Sequence, residues 1–185
     1  KNGEFRNFDH DAVEKLRLFL EGRDGIVENV VKKAQKSNAP ALYDLTELQR
    51  DANKLYGFSA KQTLNYMQRL YEHHKALTYP RTDSRYLTTD IVDTLPERVK
   101  AYQIGSFAPV CARILRKPVA GNKSFVDNSK VSDHHAIIPT EQGIRLADLE
   151  SGERKIYELV VSRFLAVLLP PFEYEQTDIR VKIGD

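Results

Sequence analysis

The sequence predicts an α+β fold that is mostly helical. Three observations predict it. Apolar residues recur at helical spacing in several stretches, each bounded by residues that start or stop helices, while a run near the C-terminus alternates with the period of a strand. A polar segment, Lys36-Ser37-Asn38-Ala39, runs into Pro40 and separates two kinds of pattern, which marks a subdomain junction.

Taken in order, residues 3–8 (Gly-Glu-Phe-Arg-Asn-Phe) read as a short strand or its frayed end. Asp9 then caps a helix that carries Val13, Leu16 and Leu20 on one face and stops at Gly22. Ile26 to Ala34 suits a helical stripe, yet its β-branched residues favour a strand, and the pattern alone leaves both open. Asp44 with Glu47 reads as a capping box before Leu45, Leu48, Ala52 and Leu55, with Gly57 as the stop. Ser59 with Gln62 repeats the device. The helix it opens places Leu64, Met67, Leu70 and Tyr71 on one face, so that two short capped helices form a helix-turn-helix pair. His73 and His74 follow at its end; adjacent histidines face different ways, and no cysteine or carboxylate stands at ligand spacing, so zinc is rejected there.

Beyond Ser84, Thr88 or Thr89 caps a short turn, Pro96 starts a helix through Ile104, and Ser106 caps another. That helix aligns Phe107, Val110, Cys111, Ile114 and Leu115 on one face and Arg113 and Arg116 on the other. Pro118 to Lys130, rich in Gly, Asn, Ser and Lys, reads as a mobile loop or hairpin. A helix from Gly152 to Leu169 buries Ile156, Leu159, Val160, Phe164 and Val167 and stops at Pro170-Pro171. Thr177, Ile179, Val181 and Ile183 then alternate with Asp178, Arg180 and Lys182 as a half-buried strand.

With 185 residues the chain can hold one large or two small domains, and a formal charge of +2 neither demands nor excludes a nucleic-acid partner. Local charge says more. From Ala108 to Val126 the charged residues are Arg113, Arg116, Lys117 and Lys123, with no acid among them, a candidate contact for phosphates. The one cysteine, Cys111, rules out an intrachain disulfide and reads as a small buried hydrophobe. No apolar run of membrane length and no charged-then-apolar leader appears, which fits a reducing cytoplasm. The chain opens on Lys1, not methionine, and reads as a piece of a longer protein.

Chemistry concentrates in Leu77 to Ser84, Leu-Thr-Tyr-Pro-Arg-Thr-Asp-Ser. Pro80 cannot continue a helix and pushes Tyr79 towards extended backbone. A phenol is neutral near pH 7 and needs a neighbouring charge or base to act as a nucleophile. Arg81 supplies a permanent cation two residues on, and i, i+2 side chains of an extended segment share one side, so the two groups can converge on one phosphate.

This stretch, with Leu-Gln-Arg-Asp-Ala at 48–52, Phe58-Ser59 and Leu70-Tyr71-Glu72 before it, resembles the core of type IA DNA topoisomerases. Asp133-His134-His135-Ala136-Ile137-Ile138-Pro139-Thr140 is similar to a second signature of that family, and Tyr157 to Leu169 with Arg163-Phe164-Leu165 to its following helix. The resemblance implies that Tyr79 attacks a phosphodiester of single-stranded DNA and holds the 5′ phosphate covalently, with Arg81 and His134 assisting. Asp83 would orient Arg81. His135 stands where some relatives have a carboxylate, which leaves open which histidine serves the phosphate.

The resemblance also favours a strand at Ile26 to Ala34 and implies the domain plan. Residues 1–41 and 152–185 would form a linking (arch) subdomain with paired strands, and 42–151 a helical DNA-gate domain inserted between them. Magnesium would be bound in the intact enzyme by an N-terminal acidic domain absent from this chain, whose clustered Asp-x-Asp-x-Glu pattern is not found here. Alone, the chain would be inactive. The rival from another class is a non-catalytic DNA-binding module built on the helix pair; a tyrosine recombinase is disfavoured because its tyrosine sits on a helix, which Pro80 opposes.

Overall fold

The computed structural model describes residues 6–184, so the first half of the expected N-terminal strand, residues 3–5, lies outside the described residues. Residues 6–9 form no strand. The described chain is α+β, with seven α-helices and one two-stranded sheet, and it divides into two units. One comprises residues 1–37 and 173–185, the other the intervening residues 38–172. The last helix, expected in the smaller unit, falls in the larger one because it packs with that unit's helices; the first boundary lies four residues before the expected 41/42.

In the smaller unit, helix α1 (His10–Leu20) starts where the Asp9 carboxylate accepts from the Ala12 N–H at 3.1 Å, and Gly22 turns the chain at φ +72°. Strand β1 (Ile26–Ser37) pairs with β2 (Phe172–Lys182). Lys36 pairs with Glu173 at 2.6 Å and Lys32 with Glu175 at 2.9 Å, an order in which one strand ascends as the other descends. The expected half-burial of β2 is not observed: every one of its residues is exposed. A two-stranded ribbon has no second layer to cover a face, so period-2 alternation in the sequence produces no buried side here.

The larger unit is built around α2 (Leu45–Tyr56), α3 (Ala60–Glu72) and α7 (Ser151–Val167), with α3 packed on both partners. Helix α2 begins at Asp44, whose carboxylate accepts from Glu47 N–H at 2.7 Å, and ends at Gly57 in the left-handed conformation, φ +72°. The Ser59–Gln62 capping box is complete, its two bonds 3.1 and 2.9 Å long. The buried face of α3 is Thr63, Met67 and Leu70; Leu64 and Tyr71, expected on it, are half-buried and lie outside the core. Leu48, Ala52, Ile156, Val160 and Phe164 complete the contact, each of the four larger side chains stabilising by about 1.5–3 kcal/mol. Gly152 opens α7 because a Cβ there would lie 2.2 Å from the Tyr66 ring.

Between them run α4 (Thr89–Val92), α5 (Leu95–Ala101) and α6 (Ala108–Ile114). Ser106 does not cap α6. A 3₁₀ turn at Gly105–Phe107 precedes it, and Pro109 near its start sets the first helical residues. Cys111 is fully buried, as its face predicts, and burial raises its thiol above the usual range. The segment 118–130 is pinned by buried Phe125, whose carbonyl accepts from Leu87 N–H at 2.8 Å, beside a parallel bridge between Leu87 and Val126.

Candidate active site

The tyrosine segment lies outside any helix and bends at Pro80, and its burial alternates. Pro80, Thr82 and Ser84 point inward, while Arg81 and Asp83 are exposed and Tyr79 is half-buried. Tyr79, Arg81 and Asp83 are thus the less buried positions of the segment, alternating with the inward ones. The turn into it uses Lys75 at φ +52°, a left-handed residue that lets α3 end and the chain reverse.

The histidine segment lies alongside. Leu77 and Pro139 form an antiparallel bridge, Thr78 N–H donates to Ile138 C=O at 2.9 Å, and Ile138 N–H donates to the Thr78 hydroxyl at 3.0 Å. Further along, the Thr82 hydroxyl donates to the His134 carbonyl at 2.8 Å and that of Ser84 to the Lys130 carbonyl at 2.8 Å. Inward-facing hydroxyls of one segment thus saturate backbone acceptors of the other, which a buried carbonyl requires. Behind them Ile137 N–H donates to Tyr43 C=O at 2.8 Å, and the Tyr43 ring is held by Asp51 and Arg163, themselves paired at 2.7 Å. From the other side Arg98, only 7% exposed, donates to the Pro139 carbonyl at 2.7 Å, and the Tyr102 hydroxyl donates to that of Thr140.

This lacing sets the two histidines apart. The His134 ring is exposed and lies over Tyr79, centroids 4.2 Å apart and planes 33° apart. His135 folds back, its Nδ1–H donating to the Ala136 carbonyl at 2.7 Å. Burial, with Arg98 and His134 nearby, holds the His135 imidazole below the usual histidine range, so it is neutral at pH 7. On its other flank Tyr79 meets the Tyr71 ring edge-on, 5.5 Å away at 86°. As parts of the site, Tyr71, Thr78, Thr82 and Arg98 escape a reading of the sequence; only the threonines carry a signal, their i, i+2 spacing about the tyrosine.

Arg81 forms no ion pair among the described residues, with Asp83 or any other carboxylate, so its charge is available to an anion on the outer face. Arg113, Arg116 and Lys117 share an open groove with Val119, Leu168 and Leu169, whereas Lys123 lines a different one with Thr89, Val92 and Asp93. Three of the four expected basic residues are together. No group of three His, Cys, Asp or Glu among the described residues is placed to hold a metal ion. No described helix is long and apolar enough to cross a membrane.

A family model described as DNA topoisomerase matches residues 1–185. A DNA topoisomerase 3 of Bacillus cereus is 58% identical over 184 residues, covering 100% of this chain and 25% of that protein. The Bacillus subtilis strain 168 protein of the same name is 50% identical over the same share. In fold, full-length topoisomerase I from Thermotoga maritima is similar with a TM-score of 0.65 and 24% identity, across 98% of this chain and 29% of that one. The chain spans about a quarter of the length of the curated relatives it matches.

Proposed function

The chain belongs to the DNA topoisomerase family, and from that premise we propose that it is the part of a type IA enzyme that carries the nucleophile for reversible cleavage of single-stranded DNA. The Tyr79 oxygen attacks phosphorus, the bond from phosphorus to the 3′ oxygen breaks, and a 5′-phosphotyrosine forms. The phenolic proton leaves to a base and the departing 3′ oxygen takes one up from an acid; religation is the reverse. Arg81 neutralises charge growing on the phosphate and the incipient phenolate, and His134 donates a hydrogen bond to the same group. The single observation that supports this most is the His134 ring lying against the Tyr79 phenol, with Arg81 exposed two residues on.

Asp83 would turn towards Arg81 once DNA is bound, and His135 would act through His134's position. The metal-binding carboxylates would belong to an acidic N-terminal domain of the longer protein. The larger unit, inserted between the strands of the ribbon, would be the moving gate for relaxing or decatenating DNA in the cytoplasm. Arg113, Arg116 and Lys117 would hold the DNA backbone with Lys123 as an outlying contact, and each phosphate contact would add about 0.7 to the slope of log affinity against log salt.

The test uses the full-length protein and an oligonucleotide labelled at its 3′ end, trapped with detergent. The wild type retains label; Tyr79→Phe retains none. His134→Ala slows single-turnover cleavage about 10²-fold or more, against less than about tenfold for His135→Ala. The 185-residue chain alone forms no adduct. An adduct that survives Tyr79→Phe overturns the assignment, and a full-length protein that binds single strands without ever forming one is the non-catalytic module instead.

A further inference from the structure

We propose that Tyr71 is a positioning residue for Tyr79, a role that rests on the cleavage reaction above. Tyr79 stands outside any helix, just before a bend at Pro80, with two side-chain torsions to settle. Among the described residues no hydrogen bond holds its hydroxyl, so the direction of the phenol is set by ring contacts. There are two of these. His134 covers one part of the ring at 4.2 Å, and the Tyr71 ring meets it nearly perpendicular at 5.5 Å, the edge-to-face arrangement aromatic quadrupoles prefer.

Tyr71 has no evident duty elsewhere. It is half-buried on the last turn of α3, and it belongs neither to the hydrophobic core nor to the partly buried apolar side chains packed on that core. Its ring meets Tyr79 and, at 5.9 Å, the ammonium of Lys75. Lys75 is the left-handed residue that ends α3 and turns the chain towards Tyr79. Helix, turn and nucleophile are thereby locked in one geometry. The rigid helix supplies what the extended segment lacks, a fixed wall for the phenol, and small misplacements of a nucleophile cost rate steeply.

The experiment is made on the full-length protein with 3-fluorotyrosine placed at position 79, comparing Tyr71→Phe, Tyr71→Leu and Tyr71→Ala. Two things are read: the fluorine resonance, and single-turnover cleavage of a single-stranded oligonucleotide over a range of DNA concentrations. Tyr71→Phe keeps the resonance and cleaves within about twofold of wild type, because the edge and not the hydroxyl makes the contact. Tyr71→Leu, which fills the volume and preserves folding, moves the resonance and slows cleavage at saturating DNA about tenfold, with the half-saturating concentration unchanged. Tyr71→Ala does the same or more. Wild-type rates in Tyr71→Leu, or a slowed rate with the Tyr79 resonance unmoved, overturn the proposal, as does Tyr71→Phe behaving like Tyr71→Leu. If the wild type itself forms no adduct, the cleavage reading has failed, and an unmoved resonance in Tyr71→Leu shows separately that Tyr71 does not orient the ring.

Discussion

The two units of this chain hold themselves together differently. Residues 38–172 enclose a continuous apolar core, with Met67, Leu70, Ile156 and Phe164 fully shielded, whereas no described residue of the smaller unit is buried. There, the ribbon relies on its ladder and on exposed pairs such as Lys32–Glu175, each worth about 0–1 kcal/mol. The candidate site sits in the first kind of environment, and the contrast shows why. A phenol outside any helix keeps its orientation only where several independent bonds determine its backbone, and Thr78, Thr82, Tyr43 and Arg98 provide them.

The largest effect that would break this comparison is a truncation in each unit. Met67→Ala should lower stability by about 2–5 kcal/mol in chemical denaturation, Val181→Ala by less than about 0.5 kcal/mol. Equal losses would mean that the ribbon has a core of its own. A smaller, sharper probe is Gly152→Ala, which sets a methyl against the Tyr66 ring and should cost about 1–3 kcal/mol. Gly143→Ala, in open space at ordinary backbone angles, should cost under about 0.5 kcal/mol. A harmless Gly152→Ala would show that α3 and α7 can part without penalty.

The smallest effect is a pH dependence. The His135 imidazole is held below its ordinary value by burial, so the unfolded chain binds its proton more readily. Its contribution is present above the unfolded pKa of about 6.5 and is lost as pH falls through the lower folded value. In the wild type the denaturation midpoint should drop between pH 7.5 and 5.5, and in His135→Asn that drop should shrink. An unchanged drop would assign the acid sensitivity to other groups.

Much of this is legible along the chain. Asp9, Asp44 and the Ser59–Gln62 pair start the helices they announce, and Gly22 and Gly57 adopt the left-handed angles expected after them. The strand near Ile26 and its pairing with the C-terminal run, which the pattern left open and only the family resemblance implied, are observed too. Less legible is the start of α6, where Ser106 looks like a cap and Pro109 prevails, and the burial of β2, which alternation alone misjudges. Tyr71 reads as a core residue because its spacing matches Met67 and Leu70, yet its ring turns to Tyr79.

The sequence by itself determined where α1, α2 and α3 start and the turns at Gly22 and Gly57 that follow α1 and α2, since a cap is satisfied within a few residues of where it is written. Only the tertiary structure decided that His134 and not His135 lies over the phenol and that Tyr71 flanks it. Those choices depend on hydrogen bonds between segments more than fifty residues apart, where a shift of one residue would exchange the two rings, and no local pattern carries that register.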